Sequence, residues 1–456
     1  MSRVALIGEN SIEYVDKLLE IWNSGNCAVL IDWRIPFPTI AKMLNEANVD
    51  KCFIDECLIN EKFFTFIKNV DIYTFKKLNA LPSFLPDSIY AKFKPNYSYN
   101  DAVIIYSSGT TGKSKGIILS HYSINTNADA IIDYMKLEKN DCMYIAKTFS
   151  HSSTLTGEIL VALKTRTKIV IAPVIVPPRY IVKNINRFKV TIVCFNPTLL
   201  SLFVDNFKIK CSDDISLKTI YVSGSIMSDV IYNKAHDVCP FISIFNVYGL
   251  SETGPRVTAQ REGCCSSNSV GKPIKGVEIK LVKENGNLAV NSEKGVIYVK
   301  TPSKFSGYIK KQDKCILSFD NWINTGDVGY IDLNGELHIL GRNDEVIILD
   351  SHKIYPNDVE KIILEFPSIK ECVVMKINYN GNDIMACLYS GEYIEEYKIK
   401  NFLLDKLPSY ETPRRFIHCL SIPQTNNGKI SKVKVLELLQ KELTKENMND
   451  IRKNKK

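Results

Sequence analysis

The chain has 456 residues, of which 45% are hydrophobic and 24% charged, with a formal net charge of +8. That length exceeds one ordinary core, so at least two domains are expected, and the composition is that of a globular protein, not a disordered or fibrous one. The basic residues are spread along the chain without a stripe or module, which excludes nucleic acid as an expected partner.

The 13 cysteines are odd in number and irregularly spaced, with Cys264 and Cys265 adjacent and no Cys-x-x-Cys pair. Reduced thiols and a cytoplasmic location are the expectation. The first residues lack the apolar core of a signal peptide. The most apolar run, 168–178, is short and holds three prolines, so no membrane span is expected.

Taken in chain order, positions 11–22 have helical spacing (Ile12, Val15, Leu18, Leu19, Trp22), and 27–31 form a short apolar strand. A second helix is predicted over 38–47 and a second strand over 51–54. Such alternation indicates βαβ units and a mainly parallel sheet. It recurs around 169–172, 190–195 and 219–222. After about Gly271 the pattern changes to period two, over 277–282 and 295–300, and Asn334-Gly335 marks a hairpin. From about Glu345 a small α+β domain is expected: a strand over 346–349, a helix opening near Asn357, two strands about Asn380-Gly381, and a helix over 394–407. The charged tail from Lys441 reads as a frayed helix or disorder.

The sharpest local feature is Tyr106-Ser-Ser-Gly-Thr-Thr-Gly-Lys-Ser-Lys-Gly116, which follows an apolar strand and precedes a strand and a helix. Gly109 and Gly112 free the backbone to turn its N–H groups inward. Ser107, Ser108, Thr110 and Thr111 can donate to phosphate oxygens, and Lys113 and Lys115 add charge. A Walker A loop needs a glycine five positions before Gly112, where Ser107 stands, so a P-loop NTPase is disfavoured.

This loop resembles the signature of the adenylate-forming superfamily, the AMP-dependent synthetases and ligases that include acyl-CoA synthetases, adenylation domains of nonribosomal peptide synthetases, and luciferases. Further stations follow in order. Tyr248-Gly-Leu-Ser-Glu252 resembles the family's Tyr-Gly-x-Ser/Thr-Glu. There Tyr248 can stack on adenine, Ser251 can reach phosphate, and Glu252 is a hard oxygen ligand suited to Mg²⁺. Thr325-Gly-Asp327 resembles the motif whose aspartate holds the ribose hydroxyls. Gly341-Arg342-Asn-Asp344 resembles Gly-Arg-x-Asp, which implies nucleotide contact by Arg342 and a hinge at Asp344. Pro423 to Lys429 resembles the C-terminal motif whose lysine acts in adenylation. By the same resemblance Lys429, Glu252 and Thr110 are the catalytic candidates. The weaker landmarks Gly224-Ser225, Gly271-Lys-Pro273 and Gly307-Tyr308 also fall in order.

The resemblance implies an α/β fold. A large N-terminal domain (1–343) has mixed, mainly parallel sheets plus a β-rich subdomain, and a small mobile C-terminal α+β lid spans 344–456. Three departures stand out. The chain is short before its first helix–strand unit. Ile348 and Ser351 replace the lysine and glycine of the family's Ile-Lys-x-x-Gly, which bears on the passage of a pantetheine arm. Ser223-Gly224-Ser225 replaces a Gly-Gly-Ala-like turn. His151 stands where many acyl-CoA synthetases carry a pocket histidine, and with Gly224 and Ser225 it marks the expected acid pocket. No aspartate offers itself to an α-amine, so a fatty or aryl acid lacking one is expected.

The implied reaction uses ATP and Mg²⁺ to convert a carboxylic acid into an acyl-adenylate with release of pyrophosphate. The acyl group then passes to the thiol of CoA or of an acyl or peptidyl carrier protein. Two alternatives are a degenerate ATP- or AMP-binding relative with a regulatory role, and adenylation with a non-thiol acceptor.

Overall fold

A computed structural model describes residues 1–107, 114–174, 176–207, 215–263, 269–310, 319–349, 352–379, 382–425 and 429–453. The loop positions Ser108, Gly109, Thr110, Thr111, Gly112 and Lys113 lie outside the described residues, as do Cys264, Cys265, Ser351 and the turn at Asn380-Gly381.

Two large sheets carry the first part of the chain. The first orders its strands Gly307–Tyr308, Gly116–Ser120, Asp101–Tyr106, Cys27–Ile31, Arg3–Ile7, Lys51–Asp55 and Asp71–Phe75. The five from Asp101–Tyr106 to Asp71–Phe75 run parallel. The second places Ser243–Tyr248, Thr219–Val222, Ile192–Phe195, Cys142–Ile145 and Lys168–Ile171 side by side and parallel, with short antiparallel strands at both edges. Parallel strands covered on both faces read as unbroken apolar runs, and Cys27–Ile31 is buried at all five positions.

Between the sheets run the helices Ile12–Asn23 and His121–Met135, and one that begins after His151. The first is capped by Ser11, whose hydroxyl accepts from the Tyr14 backbone N–H at 3.0 Å. The third passes through a π-helical turn, Leu155–Leu160, before returning to α at Val161–Thr165. Leu6, Leu18, Ile131, Met143, Ile159 and Ile169 belong to one core that spans both layers.

The expected period-two segments form a four-stranded antiparallel sheet, Glu278–Val282, Gly295–Lys300, Ile323–Ile331 and Leu337–Arg342. The C-terminal part pairs Ile347–Leu349 with His352–Ile354. It then builds a three-stranded sheet from Ile369–Tyr379, Asn382–Gly391 and Arg415–His418. That sheet packs against Pro356–Ile363, Glu396–Leu404 and Lys432–Lys453.

Two segments add to the sequence expectations, the second by being helical, one of the two alternatives for the tail. Arg3–Ile7, which the periodicity leaves unread, lies inside the first sheet between Cys27–Ile31 and Lys51–Asp55. The tail after Lys441 is the end of the helix Lys432–Lys453, anchored by buried Val435, Leu439 and Leu443. Among the described residues no helix is long and apolar enough to cross a membrane, and the described cysteines are all free thiols.

The lobes meet through polar contacts. Asn357 Nδ2 donates to the Leu340 carbonyl at 2.9 Å. Lys361 pairs with Asp229 at 2.7 Å and Lys294 with Asp358 at 3.4 Å.

Gly271 holds φ at +76°, and a Cβ there would lie 2.1 Å from the Ala259 carbonyl oxygen. Gly271→Ala should therefore destabilise the protein by about 2 kcal/mol or more, read as a lower urea midpoint at unchanged slope.

Candidate functional site

The nucleoside stations converge through strand register. Asp327 and Arg342 are directly paired across neighbouring antiparallel strands. Arg342 Nη1 donates to Asp327 Oδ1 at 3.2 Å and to the Thr325 carbonyl at 2.8 Å. Tyr248, which ends the strand Ser243–Tyr248, donates its hydroxyl to Asp327 Oδ2 at 2.5 Å. The Thr325 hydroxyl in turn accepts from the Asp327 backbone N–H at 3.0 Å. Burial pushes the Asp327 carboxyl up, and Arg342 and Tyr248 oppose that push by favouring the anion.

The two flanks of the expected phosphate loop, Ser107 and Lys115, form a pinch. The Ser107 backbone N–H donates to the Lys115 carbonyl at 3.0 Å. Next to it, the two-residue strand Gly307–Tyr308 pairs with Gly116–Ser120. Tyr308 donates to Glu252 Oε1 at 2.8 Å, and Lys115 Nζ sits 5.0 Å from the Tyr308 ring centroid. Glu252 lies in a single short turn, Ser251–Thr253. The motif spacing marks Tyr308 only as a landmark; its role as the partner of Glu252 emerges from the sheet edge. Ser251 and Ser152 share a hydroxyl–hydroxyl hydrogen bond of 2.8 Å, which ties this turn to the segment after His151.

Among the described residues no group of three or more His, Cys, Asp or Glu side chains could hold a metal ion. A lone hard carboxylate at Glu252 fits Mg²⁺, which keeps waters and is held largely by substrate phosphates.

His151 caps the next helix. Its Nδ1 accepts from the Ser153 backbone N–H at 3.2 Å and lies 2.8 Å from the Ser153 hydroxyl. Burial, with the charges of Lys429, Lys147 and Arg256, pushes the imidazole down to about 3. The ring is therefore neutral at neutral pH, with its proton on Nε2. It lines a cavity of about 240 Å³ with Ser107, Ser114, Thr148, Ser150 and Thr425. Thr425 comes from the C-terminal lobe. Gly224 and Ser225 sit on an exposed turn after Thr219–Val222, and Gly224 holds φ at +104°.

Lys429 closes the set. The Thr425 N–H donates to the Lys429 carbonyl at 2.7 Å, and the Lys429 N–H donates to the Thr425 hydroxyl at 3.3 Å. This pins the base of the loop. Burial pushes the Lys429 ammonium below its ordinary range, Arg342 adds to that, and Asp327 and Glu252 oppose it. One small-lobe lysine thus shares an electrostatic neighbourhood with both motif carboxylates and with His151. Asp344, in the short turn Asn343–Glu345, is mostly exposed and accepts from Arg342 Nε at 3.3 Å. Ile348 is also exposed.

This fold and this cleft define an adenylate-forming ligase. The AMP-binding enzyme family matches residues 1–309, and the chain belongs to it. A relative from Lactococcus lactis subsp. lactis (strain IL1403), 2-succinylbenzoate–CoA ligase, is 26% identical over 94% of this chain and 89% of its own length. The fatty acid–[acyl-carrier-protein] ligase ScoC of Streptomyces coeruleorubidus is 24% identical over 94% of this chain and 85% of its own length. The structure of O-succinylbenzoate Coenzyme A synthetase (MenE) from Bacillus subtilis, in complex with ATP and magnesium ion, superposes with a TM-score of 0.81. That match covers 96% of this chain and 89% of the other at 20% identity.

Tyr248→Phe should raise the KM for ATP roughly tenfold, because Asp327 loses a buried donor. Steady-state kinetics at fixed acid concentration measures it. A Lys429 that acts as a cation would lose its charge as pH rises through its lowered pKa. The alkaline limb of kcat/KM for ATP should therefore begin below the ordinary lysine value of about 10.4. Lys429→Arg should remove that limb, since a guanidinium stays charged.

Proposed function

We propose that this chain joins a carboxylic acid to a pantetheine thiol in two steps that share one cleft. In the first, a carboxylate oxygen attacks the α-phosphorus of ATP. The bond from that phosphorus to the oxygen bridging towards the β-phosphate breaks, pyrophosphate leaves, and an acyl-adenylate remains. In the second, a thiol sulfur attacks the acyl carbon. The bond from that carbon to the AMP oxygen breaks, AMP leaves, and the thiol proton passes to solvent.

Each station has a part in this reading. The loop from Ser107 to Lys115, with Ser108, Gly109, Thr110, Thr111, Gly112 and Lys113, cradles the phosphates. Tyr248 lies against the adenine, while Asp327 and Arg342 hold the ribose side. Mg²⁺, when bound, neutralises phosphate charge, and Glu252 is its protein ligand. Lys429 brings two anions together and stabilises charge on the equatorial oxygens. His151, Gly224 and Ser225 border the acid. The lid, residues 344–456, turns about Asp344 between the two steps. CoA and a carrier protein present the same pantetheine chemistry, and the names of the relatives include both acceptors.

The observation that carries this reading is that Lys429, from the small lobe, lies within the electrostatic influence of both Asp327 and Glu252 of the large lobe. Acid-dependent ATP–pyrophosphate exchange tests it across fatty and aryl acids. Exchange should be found, and Lys429→Ala should lower it by roughly a hundredfold or more. Formation of ADP in place of AMP overturns the proposal.

A further inference from the structure

Residues 305–309 join two parts of the cleft that carry opposite charge. On one side the Ser306 N–H donates to the Ile118 carbonyl at 2.8 Å and the Ile309 N–H to the Gly116 carbonyl at 2.9 Å, on the strand that leaves the expected phosphate loop. On the other side the Phe305 N–H donates to the Glu252 carbonyl at 2.9 Å, in the turn Ser251–Thr253. Gly116 lets this segment lie close, since a Cβ there would stand 2.3 Å from Ile309 Cδ1.

Tyr308 is where the two charges meet one side chain. Its hydroxyl donates to Glu252 Oε1 at 2.8 Å, and Lys115 Nζ lies over its ring, 5.0 Å from the centroid. Phe305 backs the ring, with centroids 5.0 Å apart. A phenol can hold both charges at once, because its O–H donates in the ring plane while its π face attracts a cation. The Lys115 ammonium rests on the ring, and no ion pair joins it to Glu252 among the described residues.

Without the ring these two charges would find each other. Lys115, Glu252 and Tyr308 are all half-buried, and unlike charges in such a cleft are screened less than in open water. Direct pairing would silence both. An ammonium bonded to a carboxylate has fewer donors left for phosphate, and a carboxylate that accepts from lysine has fewer lone pairs left for a hard metal ion. A phenylalanine would fill the same space, so burial alone does not call for a hydroxyl here.

We propose that Tyr308 is a positioning residue that keeps Lys115 and Glu252 apart, reserving the ammonium for a nucleotide phosphate and the carboxylate for the magnesium ion that accompanies it. The inference rests on the nucleotide side of the ligase reading and deepens it. The ring supplies the separation, and the hydroxyl aims Glu252. The backbone bonds of residues 305–309 fix the distance between the loop strand and the turn of Glu252, so the arrangement is set before a nucleotide enters.

The test is calorimetry of α,β-methylene-ATP, which cannot be split between its first two phosphorus atoms, titrated into the full chain with excess Mg²⁺ and again with excess EDTA. The ratio of the two affinities is the gain from the metal, roughly thirtyfold in the unmodified protein. Tyr308→Phe keeps the ring and should lower that gain by about threefold. Tyr308→Ala frees Lys115 to reach Glu252 and should lower it by about tenfold or more. In a Lys115→Met background the same Tyr308→Ala change should lower the gain by no more than about threefold, because no ammonium is left to capture the carboxylate. Thermal melting checks the fold, and Tyr308→Leu takes the place of Tyr308→Ala in the same cycle if the smaller residue unfolds the chain. An equal loss with and without Lys115 overturns the inference, as does an undiminished gain in Tyr308→Ala or no gain from Mg²⁺ in the unmodified protein. If the pattern holds and no acid supports pyrophosphate exchange, the role of Tyr308 stands and the ligase reading falls.

Discussion

The ammonium of Lys429 sits where burial disfavours its charge, and Asp327 and Glu252 oppose that effect. The two carboxylates come from different elements of the large lobe, and the lysine comes from the small one. Each carboxylate is already held by a tyrosine: Tyr248 on Asp327 and Tyr308 on Glu252. Those hydroxyls fix the anions in place before any substrate arrives, so the site meets ATP without having to reorganise. Strand register does the rest, since the pairing of Asp327 with Arg342 sets a guanidinium within hydrogen-bond reach of that carboxylate.

The contacts that hold the lobes together are of a different kind. Lys361–Asp229 and Lys294–Asp358 are partly exposed ion pairs, and exposed pairs contribute little net stability. Each lobe buries its own apolar core. A seam made of exchangeable polar contacts between two separately cored bodies can be remade in a second arrangement at small cost. That suits the lid movement proposed between the two half-reactions.

Much of this architecture is readable in the sequence where the physics is local. Cys27–Ile31 declares itself as an apolar run, and Asn334-Gly335 declares its hairpin because few residues adopt that turn. The nucleotide stations are readable as motifs because phosphate, ribose and metal each demand a fixed donor type. What escapes is whatever depends on distant pairing. Arg3–Ile7 is an ordinary short run until two other strands flank it. Tyr308 acquires its role only when a two-residue strand closes on Gly116–Ser120. Lys147 and Glu158 belong to no motif, so spacing carries no trace of their ion pair. His151 illustrates a mixed case: its position is marked by the resemblance, and its work as a helix cap is seen only in the backbone.

The π-helical turn at Leu155–Leu160 carries one more residue than an α-helical turn between the same ends. Losing a single residue there would restore α geometry with both ends of the helix in place and re-aim only the side chains inside the turn. Glu158, which pairs with Lys147 at 2.9 Å, lies inside the turn, while the His151 cap precedes it. A change of length in this one helix can therefore move the Lys147–Glu158 pair while leaving both ends of the helix in place, a route that positional comparison of aligned side chains would pass over.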